Sequence, residues 1–526
     1  MYDYVLVGAG SAGCVLAARL TEDPDVNVLL LEAGPPDSNQ NIHVPLGYLK
    51  LARTEVDWGY SSAPEPRCDD RRIVLPRGRV LGGSSSVNAM VYIRGNRRDY
   101  DDWGIPGWAW DDLFPYFLKS EDNERGASEW HGVGGPLAIS EQRSGNRMTQ
   151  AFVEAAVQAG MSRNEDFNGA EQDGAGMYQV TQRGGMRASA AAAYLHPAMA
   201  RPNLTVMPYM QVHRVLFEGT RAVGVQAAQL GELQDFRAER EVILCGGAYN
   251  SPQLLMLSGV GPAEHLAMRE LPLVLDQPAV GANLSDHACS IATWTTPEPE
   301  SLLQALDPAA LEQFMATQTG PFTSNFAESG GFARVEPGIE APDLQFHAVP
   351  LQIVDEGTSD PTAHGMCVLP CLLTPESRGS VRLASNDPTA HPIVRNEFYA
   401  AESDMTRMVA NLRFMLEVCA QPALRPYCAE PFTHPDNDSD EALRAHLART
   451  TFAIYHPVGT CAIGTVVDDQ LRVNGVEGLR VVDASVMPVV PRGNTNAPTI
   501  AIAERAADLI KGVTPLQVSA GSQTTA

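Results

Sequence analysis

The sequence predicts an α/β fold, with a Rossmann-like nucleotide-binding domain and a second domain of different texture. Three observations predict it. The chain opens as strand, glycine turn and helix, "YVLVGAGSAGCVLAARL". Strand-like runs return after residue 200. Residues 289–455 are rich in proline and weakly periodic. At 526 residues the chain exceeds one simple core, and two domains is the natural partition. Hydrophobic residues make up 44%, enough for a sizeable interior.

Taken in order, the first apolar strand runs into Gly8-x-Gly10-x-x-Gly13 and a helix with apolar residues at helical spacing. The strand "VNVLLLEAG" follows and ends in Glu32, where an acidic side chain can accept hydrogen bonds from a ribose. Such glycines let backbone approach a pyrophosphate at a helix amino terminus. The pattern predicts a bound dinucleotide but does not separate NAD from FAD. Residues 78–95, "GRVLGGSSSVNAMVYIRG", hold two glycines and three serines in a row, which suits neither helix nor packed strand. By composition this is a plain turn or a loop whose backbone donors cradle a phosphate or a flavin ring. "WGIPGWAWDD" (103–112) reads as a packed aromatic turn rather than a substrate cage. "NLTVMPYMQVHRVLFEG" and "EVILCGGAY" predict a return to the nucleotide domain, while "SRGSVRLAS" and "HPIVRNEFY" predict antiparallel strands. Near the end, "AIYHPVGTC" places His456 beside a proline and a small-residue turn. By itself it can be packing, a metal ligand or a base. The polar tail "SAGSQTTA" closes the chain.

Charge and cysteines narrow the function. Lys+Arg 38 against Asp+Glu 63 gives −25, which disfavours nucleic acid and bare anionic membrane as partners. The nine cysteines form no C-x-x-C pair and read as reduced thiols, which predicts a cytoplasmic protein. Cys367 and Cys371 lack a companion Cys/His pair, so no metal site is expected. No basic leader is visible, and no apolar run approaches the roughly 18 residues of a membrane span. Membrane contact is expected to be peripheral at most.

Three separated stretches resemble the glucose–methanol–choline oxidoreductases, FAD enzymes that act on alcohols. They are the 78–95 loop, "GAYNSPQLLMLSGVG" (247–261), and the block from "YHPVGTC" through "VVDASVMPVVPRGNTNAPTIAIAERAADLI". With Gly8-x-Gly10-x-x-Gly13 and "GANLSDH" (281–287), the resemblance spans essentially the whole chain. "TSNFAESGGF" and "LQFHAVP" make it most similar to bacterial medium-chain alcohol dehydrogenases, with polyethylene-glycol and choline dehydrogenases as relatives. The resemblance implies a discontinuous architecture: an FAD domain from 1–150, 201–288 and 456–526, and a substrate domain of antiparallel sheet and helices from 151–200 and 289–455.

It also implies roles. FAD would contact Gly8, Gly10, Ser11, Ala12, Gly13, Glu32 and Ala33 in the first unit. Val80, Gly83, Asn88, Ala89, Met90 and Val91 would line the flavin and pyrophosphate. Val212 would meet the adenine, and Asp483, Ala484, Pro498 and Thr499 would approach from the carboxy-terminal side. Some relatives attach FAD through a histidine directly before the loop asparagine. Val87 stands there, so non-covalent FAD is expected. His456 matches the catalytic base, and Asn496 the second polar residue, which can donate to a substrate oxygen. Tyr455, Asn325 and Phe346 are candidates for the substrate pocket. Ser285-Asp286-His287 is expected to brace a loop. The implied reaction is oxidation of a primary alcohol to the aldehyde, proton to His456 and hydride to the flavin, with electrons passing to a quinone or other acceptor. The alternatives are an alcohol oxidase using O2, a hydroxynitrile-lyase-like member whose flavin does no redox, and a non-catalytic FAD-binding protein.

Overall fold

The protein is described by a computed structural model over residues 1–354 and 359–516; the polar tail lies outside the described residues. Five strands run parallel in the order Leu204–Met207, Val28–Leu31, Tyr2–Val7, Glu232–Leu244, Leu479–Val481. Their apolar runs are continuous because helices or loops cover both faces: Val242, Ile243 and Leu244 are fully buried. The amino-terminal half of Glu232–Leu244 is largely exposed and extends instead into an antiparallel ribbon with Arg221–Gln229 and Gln211–Glu218.

The two ends of the chain meet here. The first helix, Ser11–Leu20, packs along the last, Asn496–Lys511. Glu504 on the last helix is fully buried and receives Arg19, Lys119 and the Tyr194 hydroxyl. Residues 191–195, expected with the substrate half, also lie against the first helix.

The second sheet is antiparallel, in the order Glu430–Thr433, Ala292–Thr295, Gly365–Leu372, Leu344–Val349, Ser329–Ala333, Gly174–Met177. Strand alternation gives it two characters. Leu344, Phe346, Ala348, Met366 and Val368 pack against the helices Arg147–Gln158 and Glu402–Cys419. Gln345, His347, Val349, Cys367, Leu369 and Cys371 take the opposite face, toward the nucleotide domain. The strands Ser380–Arg382 and Ile393–Arg395 pair with each other as a ribbon apart from both large sheets. The aromatic turn is core: Trp108 and Trp110 are buried, and Trp110 stacks on Phe114 at 5.2 Å between ring centroids. Among the described residues no helix is long and apolar enough to cross a membrane.

Candidate active site

The first turn is built by close backbone approach. Gly8 has φ +101°, and a Cβ there would lie 2.7 Å from the Cys245 carbonyl oxygen; one on Gly13 would lie 2.0 Å from the Gly8 oxygen. Both positions require glycine for packing. Gly10 differs: its Cβ would meet nothing nearer than 3.8 Å, and it opens onto a cavity of about 450 Å³. Gly83 closes over it, since a Cβ there would lie 2.6 Å from the Gly10 Cα. The serine loop therefore sits directly on the fingerprint and lines the same cavity.

The cavity runs from this turn to His456. Gly8, Gly10, Ser11, Ala12, Glu32 and Ala33 line one end, with Val212 beside them. Gly83, Asn88, Ala89, Met90 and Val91 line its middle, opposite Asp483, Ala484 and Thr499. Of the residues expected there, Gly13, Val80 and Pro498 do not line it: Gly13 packs on Gly8, Val80 on Ile42, Leu51 and Val56, and Pro498 lies within the last helix. Glu32 is buried at the end of its strand, its oxygens accepting the Ala9 N–H at 2.8 Å and the Gly34 N–H at 2.9 Å. Burial pushes its carboxyl up to about 7. Two carboxylate oxygens offer about four acceptor sites, so capacity remains for a hydroxyl in the cavity. Asp483 ties the carboxy-terminal block to the helix Gly247–Leu257, accepting from the Gly247 N–H at 2.9 Å and the Ser251 hydroxyl at 2.6 Å.

At the far end His456 is 6% exposed. Its loop is held through Asp286, whose Oδ1 accepts both the His456 and the His287 backbone N–H at 2.8 Å. Tyr455, just before it, lines the cavity in the left-handed region at φ +69°, a conformation that costs a non-glycine residue on the order of 1 kcal/mol. The His456 and His287 rings meet edge to face, with Nδ1 to Nδ1 at 3.0 Å. One of these nitrogens must carry the only proton between them. Asn494 Nδ2 donates to His456 Nε2 at 3.1 Å, so the Nε2 bears a lone pair and the His456 proton sits on Nδ1. Burial, then His287 and His347, hold His456 well below the usual imidazole range; burial pulls His287 down to about 3. Both rings are neutral at physiological pH. Ser-Asp-His does brace a loop, and the loop it braces carries His456.

Two expectations, Asn325 and Phe346, are corrected by position, and a third, Asn496, is located more closely. Asn496 lines the cavity but does not touch His456; its Oδ1 accepts the Ser11 hydroxyl at 2.7 Å, and Asn494, two residues earlier, reaches the ring. Asn325 lies behind the wall, donating to the Ala89 carbonyl at 2.8 Å. Phe346 points away, its ring 5.7 Å from Phe152 on the helix side of the sheet. Its neighbour His347 faces the cavity instead, because successive strand residues take opposite faces. Sequence reasoning had the right strand and the wrong parity. It also missed the apolar lining: Ile291, Phe326, Leu369, Phe452 and Ile454.

A glycine turn open to a long cavity, an acidic strand end, a second glycine loop closing over the first and a neutral buried histidine at the far end fit an FAD. Models described as GMC oxidoreductase match residues 2–289 and 375–503. The chain belongs to the GMC oxidoreductase family. Mouse mitochondrial choline dehydrogenase is 43% identical over 97% of this chain and 89% of its own length. A Pseudomonas putida alcohol dehydrogenase [acceptor] is 42% identical over 97% of this chain and 96% of its own length. The solved pyridoxine 4-oxidase of Mesorbium loti superposes with a TM-score of 0.90 at 30% identity, covering 98% of this chain and 100% of that one. As a GMC oxidoreductase this chain takes FAD as its cofactor and oxidises CH–OH groups.

Proposed function

We propose that this enzyme oxidises a neutral primary alcohol to its aldehyde, with His456 Nε2 as the base. Removing two hydrogens requires an acceptor for a proton and one for a hydride; bound FAD supplies the hydride acceptor. His456 takes the hydroxyl proton at Nε2, while His287 Nδ1 keeps the Nδ1–H in place and so selects the tautomer. The single observation that carries this reading is the buried neutral ring with its lone pair at the cavity. Asn494 marks where the hydroxyl sits, since its amide occupies the Nε2 lone pair that the substrate O–H takes over. Asn496 Oδ1 is held by Ser11, which leaves its amide N–H group to hold the substrate oxygen.

The substrate class follows from the lining. The far end is apolar, and the three carboxylates lining the cavity among the described residues, Glu32, Asp57 and Asp483, all accept backbone N–H donors. None is presented to an ammonium group, which favours a neutral aliphatic or aryl alcohol over a quaternary amine. We also propose non-covalent FAD, from Val87, and a quinone or similar acceptor ahead of oxygen, from the likeness to a dehydrogenase named for an acceptor. A quinone would bring the protein against a membrane surface; the cytoplasm is proposed on the nine free cysteines. Turnover on an alcohol panel that includes choline, with oxygen and with a quinone analogue, tests the reading. Aldehyde from aliphatic alcohols and dye reduction outpacing peroxide are expected. Preference for choline would overturn the substrate class. No bleaching of the flavin by any alcohol would return the lyase and non-catalytic alternatives. Acid precipitation should release yellow FAD to the supernatant.

A further inference from the structure

Behind the cofactor loop lies a buried cation that has no anion. Arg187 is 4% exposed. Its Nε donates to the Ile42 carbonyl at 2.7 Å, and its Nη1 to the Ser85 carbonyl at 3.1 Å and to Asn88 Oδ1 at 2.8 Å, while Nη2 has no partner among the described residues. Every acceptor is neutral, and among the described residues no carboxylate stands within ion-pair distance of it. Of the two other buried guanidinium groups, Arg94 meets Glu121, while Arg505 lies over the Trp108 and Tyr116 rings, away from the cavity lining. A buried charge without a counter-charge is costly, so one at a cofactor site points to the cofactor for its compensation.

Asn88 shows how the charge is delivered. Its Oδ1 accepts from Arg187 and also from the Met90 N–H at 3.0 Å. With both lone pairs taken, the amide cannot be flipped, and its NH2 is the end left for the cavity that Asn88 lines. We propose that Arg187 is a positioning residue of the flavin site, aiming the Asn88 amide N–H at an acceptor oxygen of the ring and supplying positive potential to the charge the reduced cofactor gains. A purely structural Arg187 would tie three loops together and leave the redox balance untouched.

The test compares holoenzyme and apoprotein of the wild type, Arg187→Lys, Arg187→Gln and Asn88→Asp. The readouts are the two-electron midpoint potential of bound FAD and the affinity of apoprotein for ADP, which carries the pyrophosphate without the ring. Arg187→Gln should shift the balance at least tenfold against the reduced form, about 30 mV for two electrons. Arg187→Lys should recover part of that shift, and ADP affinity should stay within about twofold. Asn88→Asp, which sets an anion against Arg187, should also lower the potential, and it carries the test if Arg187→Gln fails to load FAD. A wild-type potential in either loaded variant overturns the proposal. So does weakened ADP binding with an unmoved potential, which would assign the charge to the pyrophosphate.

Discussion

His131 and His456 are both buried imidazoles in polar clusters, and their surroundings are opposite. His131 Nδ1 meets Glu121 at 3.0 Å and its Nε2 meets Asp166 at 2.8 Å, with Arg94 paired to the same Glu121. Burial pulls His131 down, but the hydrogen bonds it donates to Asp166 and Glu121 outweigh that and push it up to about 9. His456 has no carboxylate on its ring, shares one proton with His287, and is held low. Among the described residues, His287 Nε2 and both ring nitrogens of the cavity-facing His347 find no hydrogen bond of ordinary geometry. Satisfied, charged clusters of the first kind hold a scaffold. Neutral clusters with lone pairs and donors to spare, opening on a cavity, are arranged for a ligand.

The largest test of that contrast is kinetic. His456→Ala, folded and FAD-loaded, should slow flavin reduction by alcohol by about 10²–10⁴-fold, the range for a lost general base. His131→Ala should leave reduction per bound flavin near normal and lose stability instead, because it removes a charged partner from buried Glu121 and half-buried Asp166. Stopped flow and thermal unfolding on the pair of variants check both halves; near-normal reduction by His456→Ala would erase the distinction.

Next in size are the two asparagines. Asn496→Ala should cost about 10²–10³-fold in reduction rate, the scale of a lost oxyanion donor. Asn494→Ala should cost about tenfold, the scale of one neutral hydrogen bond. Neither loss should multiply cleanly with His456→Ala, because Asn496 acts on the oxygen that His456 deprotonates and Asn494 on the His456 ring itself. Equal losses would show that contact with His456, rather than with substrate, sets the role.

The pH dependence sharpens the comparison further. His456 is depressed, so it stays unprotonated as pH falls through 6.5, and the acid limb of flavin reduction should lie below that value. His131 is raised, so its contribution to stability is complete below its unfolded value of about 6.5 and is lost as pH rises through about 9. Melting temperature should therefore fall from pH 7 to 9.5 in the wild type, and less in His131→Gln. An acid limb at or above 6.5 would contradict the neutral-base reading. The smallest expected effect is at the other end of the cavity: Glu32→Ala should lower the FAD content of purified enzyme, and unchanged flavin content would sink the ribose assignment.

Much of this was legible in the chain itself. Strand, glycine turn, helix and acidic strand end follow one another within 32 residues, so covalent order alone brings them together. The "YHPVGTC" block singled out His456 only through its resemblance to the family, since the residues alone left packing, a metal ligand and a base open. Local order did not say which side of Leu344–Val349 meets the cavity, and a shift of one residue exchanges Phe346 for His347. Nor did it say which asparagine of "GNTNAPT" reaches His456, because the chain turns there from loop into helix.

By itself, then, the sequence determined the nucleotide-binding unit, since strand, glycine turn, helix and acidic strand end are written in neighbouring residues whose spacing is the signal. The tertiary structure alone decided the proton inventory. His287 and His456 are 169 residues apart and share one hydrogen bond, Ser11 and Asn496 are 485 apart and share another, and Arg187 reaches Asn88 from 99 residues away. Such pairs depend on how two sheets and both chain ends pack around one cavity, and no local spacing encodes that packing.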